Sequence, residues 1–166
     1  METAVTLDRA IQISLTKPLR RRTETVSLDE ARGRVTARPL ASRVDDPRFD
    51  NSAMDGFAVR AEDCEDEQTT LTVVGTSQAG GESPPDVGQG QACRIMTGAP
   101  MPRGADAIVM IEDTDVQGKT VTVRGSARTG FIRRRAENLS IGQEALPAGT
   151  LLDSAKLALA GTMGHG

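Results

Sequence analysis

Apolar positions follow two different rhythms along this chain. Near the N-terminus Leu7, Ala10, Ile11 and Leu15 recur at helical spacing and share one face. Thr6 stands where a cap is needed and Pro18 where a helix must stop, so the first element is predicted to be a short helix. Ser27-Leu28-Asp29-Glu30 has the form of a capping box, with Gly33 as its C-terminal stop, and predicts one or two further helical turns. From Arg34 to about Val44 the alternation of Val35, Ala37 and Leu40, with Pro39 among them, predicts an extended segment at a sheet edge. From roughly Asp46 to Asn138 the apolar runs become short and rich in β-branched residues, separated by Gly and Pro. Strands are predicted over Gly56–Val59, Thr70–Thr76, Ala92–Met96, Ala107–Glu112, Lys119–Arg124 and Phe131–Arg135. Gln117-Gly118 marks a hairpin turn, and Gly80-Gly81-Glu82-Ser83-Pro84-Pro85 a surface loop. Beyond Asn138 come Glu144-Ala145-Leu146, a turn at Pro147-Ala148-Gly149, and Leu151-Leu152. Asp153-Ser154 then caps a final helix around Ala155–Ala160.

This pattern predicts an α+β fold that is mostly β. Residues 1–45 and 139–166 resemble one another in style and are expected to pair into one small elongated α/β domain, with residues 46–138 inserted as a β-rich domain. Composition sharpens the picture in one respect. With no Trp, no Tyr and three Phe in 166 residues, the core must be built from Val, Ile, Leu, Met and Ala. Such a thin core, divided between two bodies, predicts packing against a further domain or a partner chain.

The net charge of −3 argues against non-specific nucleic-acid binding, which needs clustered excess Lys and Arg. The N-terminus lacks the layout of a secretion signal and the longest apolar stretch, Ala107 to Ile111, is too short to span a bilayer, so a cytoplasmic protein is expected. Cys64 and Cys93 stand far apart without a CxxC pattern and are expected to be reduced thiols.

Three segments gather the residue types from which ligand sites are built. The run Asp50-Asn51-Ser52-Ala53-Met54-Asp55-Gly56-Phe57-Ala58-Val59-Arg60 concentrates turn formers and oxygen ligands where a strand begins. Two readings stand side by side there. Asp50 and Asn51 make local Asx-type hydrogen bonds and Asp55-Gly56 is only a tight turn, or Asp55 is directed into a cleft where it holds magnesium or acts on water. Arg94-Ile95-Met96-Thr97-Gly98-Ala99-Pro100-Met101-Pro102 ends a strand in a hydroxyl and several free amides, a donor array suited to an oxyanion. It lacks the nucleotide P-loop pattern, and Gly98 and Pro100 equally well shape a simple turn. In Ile132-Arg133-Arg134-Arg135 a strand would place Arg133 and Arg135 on one side. There they clamp a phosphate through guanidinium forks or form a solvated edge that deters aggregation. Arg20-Arg21-Arg22 reads as a solvated basic run, and His165, the only histidine, sits too near the end to suggest a general base.

Taken together and in this order, these segments resemble the molybdopterin molybdotransferase family. The resemblance rests on the Asp55, Gly56 and Ala58 core, the Arg94–Pro102 run with Gly104-Ala105-Asp106-Ala107-Ile108-Val109 and Glu112, and the arginines with Glu137, Gly142 and Leu146-Pro147-Ala148-Gly149-Thr150. It spans about Leu7 to Gly164. It implies bifurcated, coiled sheets and an enzyme that inserts molybdate into adenylylated molybdopterin with release of AMP, using magnesium. It implies a homodimer, with the molybdopterin adenylyltransferase as a candidate partner. It also implies catalytic roles for Asp55 and Thr97, with Asp55 as the metal ligand, and anion or substrate contacts for Ser52, Arg133, Arg135, Glu137 and Asn138. In this family a larger α/β domain follows in sequence and completes the cleft from the other subunit, so 166 residues are expected to hold half a site and to be inactive alone. Two departures stand out. Ala136-Glu137-Asn138 replaces the family's Gly-Glu-Asp, and Phe57 replaces its common Tyr. The missing carboxylate at Asn138 keeps open an alternative, a non-catalytic binding or dimerisation module that retains the fold.

Overall fold

The computed structural model describes residues 4–16 and 22–166. The fold is α+β and predominantly β. Helix α1 (Leu7–Thr16) begins at Thr6, whose hydroxyl accepts the Arg9 amide at 3.4 Å. Its expected stop at Pro18, and Arg20 and Arg21, lie outside the described residues. The apolar stripe of α1 buries nothing: Leu7 and Leu15 are 77 % and 80 % exposed. The capping box at Ser27 does not form. Leu28–Glu30 is a single 3-10 turn without a side-chain cap, because the chain leaves at once through Gly33, whose amide donates to the Leu152 carbonyl at 2.8 Å.

The two ends of the chain are joined by β1 (Leu40–Ala41), which pairs antiparallel with a late strand, Glu144–Leu146. Ala31, Leu146 and Leu152 form a small core there, with Val26, Leu40 and Leu157 packed against it. Between these ends lie β2 (Asn51–Ser52), β3 (Gly56–Val59), β4 (Thr69–Ser77), β5 (Gln91–Ile95), β6 (Ala107–Met110), β7 (Thr114–Gln117), β8 (Thr120–Val123) and β9 (Ile132–Arg133); the late strand is β10, and α2 (Ser154–Thr162) closes the described chain. Asp153 caps α2 as expected, accepting the Lys156 amide at 2.9 Å.

Six strands make one sheet in the order β6-β3-β5-β4-β8-β7. β3 is buried along its whole length, so both of its faces are covered and its alternation is between two cores. Phe57 and Val59 enter one cluster with Leu71, Val109, Val121 and Val123. Ala58 enters the other with Ile95, Ala99, Ile108 and Ile132. This is the period-two geometry of a strand read on both sides. β4 runs parallel to β5 and continues past the expected Thr76, with a register shift between Val73 and Gly75. Gln117 pairs with Thr120, so the hairpin loop is Gly118-Lys119, one residue later than expected, and β7 precedes it. The strand expected over Phe131–Arg135 is cut to Ile132–Arg133.

Cys64 and Cys93 are both free and buried. Loss of solvation pushes each thiol up to about 11, so neither presents a thiolate at neutral pH. No helix among the described residues is long and apolar enough to cross a membrane.

Gly56 is fixed by the tightness of β3 against β6: a Cβ there would lie 2.0 Å from the Val109 carbonyl oxygen. Backbone cannot yield that distance without breaking the ladder. Gly56→Ala is therefore expected to lower stability by at least about 3 kcal/mol, measured by urea unfolding, and an unchanged midpoint would show that the β3–β6 packing is looser than described.

Candidate functional site

Asp55 stands just before β3 and Thr97 just after β5. Because those strands are antiparallel with Gly56 opposite Ile95, the start of one meets the end of the other. Asp55 Oδ1 accepts both the Thr97 amide, at 2.6 Å, and the Thr97 hydroxyl, at 2.9 Å. The Ile111 amide donates to the Asp55 carbonyl at 3.1 Å and ties the end of β6 to the same corner. Both residues are exposed. The Thr97 amide first, then its hydroxyl and the nearby charge of Arg94, hold the Asp55 carboxyl below the usual carboxylate range. A carboxylate so stabilised is a poor proton acceptor at neutral pH. It is suited instead to accept hydrogen bonds or to offer Oδ2 as a hard oxygen ligand.

The same contacts correct the expected oxyanion cradle. The Thr97 donors are occupied by Asp55, the Gly98 amide donates to the Ser52 carbonyl at 2.8 Å, and the Ala99 amide to the Met96 carbonyl at 2.9 Å. Pro100 has no amide proton. The tip that looked like a row of free donors closes on itself and on β2.

β2 lies between the second and third segments. Asn51 and Ser52 pair with Arg133 and Ile132 on one side, and Asn51 bridges Pro100 on the other. Ser52 is buried, and its hydroxyl is engaged with the Met54 backbone, donating to the carbonyl at 2.5 Å and accepting the amide at 3.1 Å. In this arrangement it is not offered to a ligand. Asp50 makes no local Asx turn. It accepts the Arg134 guanidinium at 2.7 Å and the Arg135 amide at 2.8 Å, across more than eighty residues of sequence, and these donors hold its carboxyl below the usual range.

The strand expected to place Arg133 and Arg135 on one face ends at Arg133, and Arg135 lies beyond it. Residues 134–138 form a tight loop in which the Arg134 amide donates to Glu137 Oε2 at 2.8 Å. Arg135 Nε donates to Asp45 Oδ2 at 2.5 Å. The Ile141 amide and then the Arg135 guanidinium hold the Asp45 carboxyl below the usual range. The Arg133 side chain is exposed and has no hydrogen-bond or ion-pair partner among the described residues. Asn138 donates through Nδ2 to Asp46 Oδ2 at 2.9 Å, a contact that a carboxylate at this position would turn into repulsion. His165 Nε2 meets the Ala41 carbonyl at 2.9 Å and is part of the joint between the chain ends.

Sequence reasoning passed over three contributors. Asp45 and Asp46 fix the arginine loop, and their only signal was a pair of acids before a proline. Arg94 was read only as part of a motif, yet its guanidinium carbon lies 5.3 Å from the Phe57 ring centre. Metal ligation by this chain alone finds little support, since no group of three His, Cys, Asp or Glu side chains comes together among the described residues. Asp55 Oδ2 offers one oxygen where magnesium needs several. An open depression of about 480 Å³ lined by Cys64, Glu65, Asp66, Glu67, Arg124, Gly125 and Ser126 shares no residue with this corner.

Two outcomes follow from the geometry. Thr97→Val removes the hydroxyl but keeps the amide, so Asp55, followed by carbon-detected NMR titration, should titrate higher than in the native chain and still below its ordinary value of 3.8. The stability this lowered carboxyl contributes is present above the unfolded value and lost as pH falls through the folded one; an Asp55 that titrates normally in the native chain would refute the contact. Ala136 holds φ at 62°, a left-handed conformation that disfavours any side chain. Ala136→Gly should raise stability by up to about 1 kcal/mol in denaturant unfolding, and a loss would contradict the strain.

Comparison with known proteins identifies the family of the chain. The family model for the MoeA N-terminal region, domain I and II, matches residues 5–164. A molybdopterin molybdenumtransferase of Nostoc sp. is 41 % identical over 142 residues, covering 82 % of this chain and 33 % of the relative. That of Synechococcus elongatus is 42 % identical over 150 residues, covering 86 % and 37 %. Two crystal structures of molybdopterin biosynthesis MoeA protein from Pyrococcus horikoshii superpose with TM-scores of 0.78 and 0.85, at 34 % and 29 % identity. They cover 86 % and 98 % of this chain, and 39 % and 43 % of those chains. The chain thus spans between a third and somewhat over two fifths of the length of the relatives it matches, and it belongs to the MoeA N-terminal region family.

Proposed function

We propose that this chain supplies one wall of the site at which molybdate is inserted into adenylylated molybdopterin with release of AMP, the activity being that of the complete protein. The observation that carries this reading is the Asp55 carboxylate held by both donors of Thr97, an exposed and ionised group fixed at the junction of three segments. Fixed charge at a reacting centre lowers a barrier because it needs no reorganisation when charge develops. Asp55 orients a donor on the substrate or an attacking water through Oδ2, and Thr97 positions Asp55. The exposed guanidinium of Arg133 contacts anionic substrate. Arg135, Glu137 and Asn138 shape the loop that carries it, through their bonds to Asp45, the Arg134 amide and Asp46.

The reading extends to organisation. Residues 1–45 with 139–166 form one domain around the β1–β10 pairing, and residues 46–138 are inserted in it. The complete enzyme works as a cytoplasmic homodimer, supplied by the molybdopterin adenylyltransferase, with the remaining wall of each cleft coming from the partner subunit. Magnesium would take most of its ligands from substrate and from the rest of the enzyme, because at this corner Asp55 Oδ2 is the one carboxylate oxygen of the Asp55–Thr97 pair left unengaged.

A second reading is favoured by one observation. Asn138 already donates to Asp46, so the loop is complete as a structural unit without a ligand, as befits a binding or dimerisation module. Molybdate-dependent AMP release from adenylylated pterin by the complete protein separates the two. Asp55→Asn is expected to reduce kcat by about two to three orders of magnitude and Thr97→Val by less. Full activity in Asp55→Asn would remove the catalytic assignment, and an inactive native protein would leave the module reading in its place.

A further inference from the structure

Arg94 lies on β5 directly opposite Phe57 of β3, with its guanidinium stacked over the ring. Phe57 is only 2 % exposed, so the ring is a fixed platform and the cation above it is held in place. Phe57 and Arg94, opposite one another, lie on the same side of the sheet, and Asp55, two residues before Phe57, feels the charge of Arg94.

Arg94 is set apart from the other described arginines by its buried Nε. Arg34, Arg60, Arg103, Arg124, Arg134 and Arg135 each have a carboxylate partner. Arg94 is half-buried, yet its side chain forms no hydrogen bond or ion pair among the described residues, and its Nε is buried without a partner. A buried Nε–H without an acceptor is costly, and on a half-buried residue with no carboxylate beside it the two terminal nitrogens are left to meet a further group. At the same corner the backbone donors that would otherwise receive an anion are already taken, by Asp55 and by Ser52. An arriving oxyanion therefore finds one preorganised set of donors beside Asp55, the fork of Arg94.

We propose that Arg94 is the oxyanion-binding arm of this corner: its guanidinium, seated on Phe57, takes a tetrahedral dianion, either molybdate or a phosphate of the pterin substrate, and offsets the repulsion from the ionised Asp55. This rests on the reading of the Asp55–Thr97 corner as a substrate wall. A lysine would keep the charge but lose the planar stack and the two-pronged hydrogen bond.

The test follows arginine Nε–Hε resonances of this chain by NMR during titration with molybdate, and separately with inorganic phosphate, against chloride at equal ionic strength. The Arg94 signal is expected to shift saturably with at least one oxyanion, and the tighter of the two identifies the source of the anion. Arg94→Gln should weaken that binding about ten-fold, the equivalent of one charge-assisted hydrogen bond. Arg94→Lys should recover part of it, and Arg103→Gln, a surface arginine paired with Asp86, should leave it unchanged. No saturable shift with either oxyanion overturns the proposal, as does native affinity in Arg94→Gln. In the complete protein the two ideas separate. If Asp55→Asn abolishes AMP release while Arg94→Gln leaves kcat and KM intact, the role of Arg94 falls and the substrate wall stands. If Asp55→Asn is fully active, the substrate wall itself falls.

Discussion

Everything at this corner depends on a strand two residues long that is bonded along both edges. The Ser52 amide donates to the Ala99 carbonyl at 3.0 Å and the Ser52 carbonyl accepts the Gly98 amide at 2.8 Å. On the other edge Asn51 and Ser52 pair with Arg133 and Ile132. Buried backbone groups must find partners, and here the partners come from segments roughly forty and eighty residues downstream. Satisfying them draws the three chemically loaded stretches of the chain to one place.

Carboxylates then decide which positive groups stay open. Asp45, Asp50 and Asp55 recur at five-residue intervals, and each is held ionised by an amide together with a side-chain donor. Asp45 and Asp50 engage Arg135 and Arg134, and Asp55 engages Thr97. These exposed pairs add little to stability individually. Their effect is to select among the arginines: two are fixed in the loop, while Arg133 remains exposed and Arg94 sits on Phe57 without a carboxylate. The Asp55 carboxylate is thus held ionised, while Arg94 and Arg133 are left without a carboxylate partner among the described residues.

The thin core fits this division of labour. β3 serves two hydrophobic clusters at once, Phe57 and Val59 on one side and Ala58 on the other, and so stays rigid although no Trp or Tyr is present. Rigid strands place Asp55 and Thr97 at their ends more accurately than a loop would. Helix α1 contributes nothing to either cluster. Its apolar stripe is exposed.

Patterns of nearest neighbours in sequence were enough for part of this. Period-two runs located β3, β5, β6 and β8, the Asp153 cap located α2, and the Asp55, Thr97 and Arg133 segments were visible as unusual concentrations of turn formers and charge. Those features depend on contacts within a few residues, which the sequence specifies directly. The capping box at Ser27, the strand through Arg135 and the free amides after Thr97 did not form, because in each case a long-range partner competed with the local one: Leu152 for Gly33, Asp45 and Asp50 for the arginines, Asp55 and Ser52 for the Thr97 tip. The parallel pairing of β4 with β5, the stacking of Arg94 on Phe57 and the bond from Asn138 to Asp46 carried no local signal at all. Which donors are occupied and which remain open is a property of backbone groups and charges brought together from distant sequence, and only the tertiary structure fixes it.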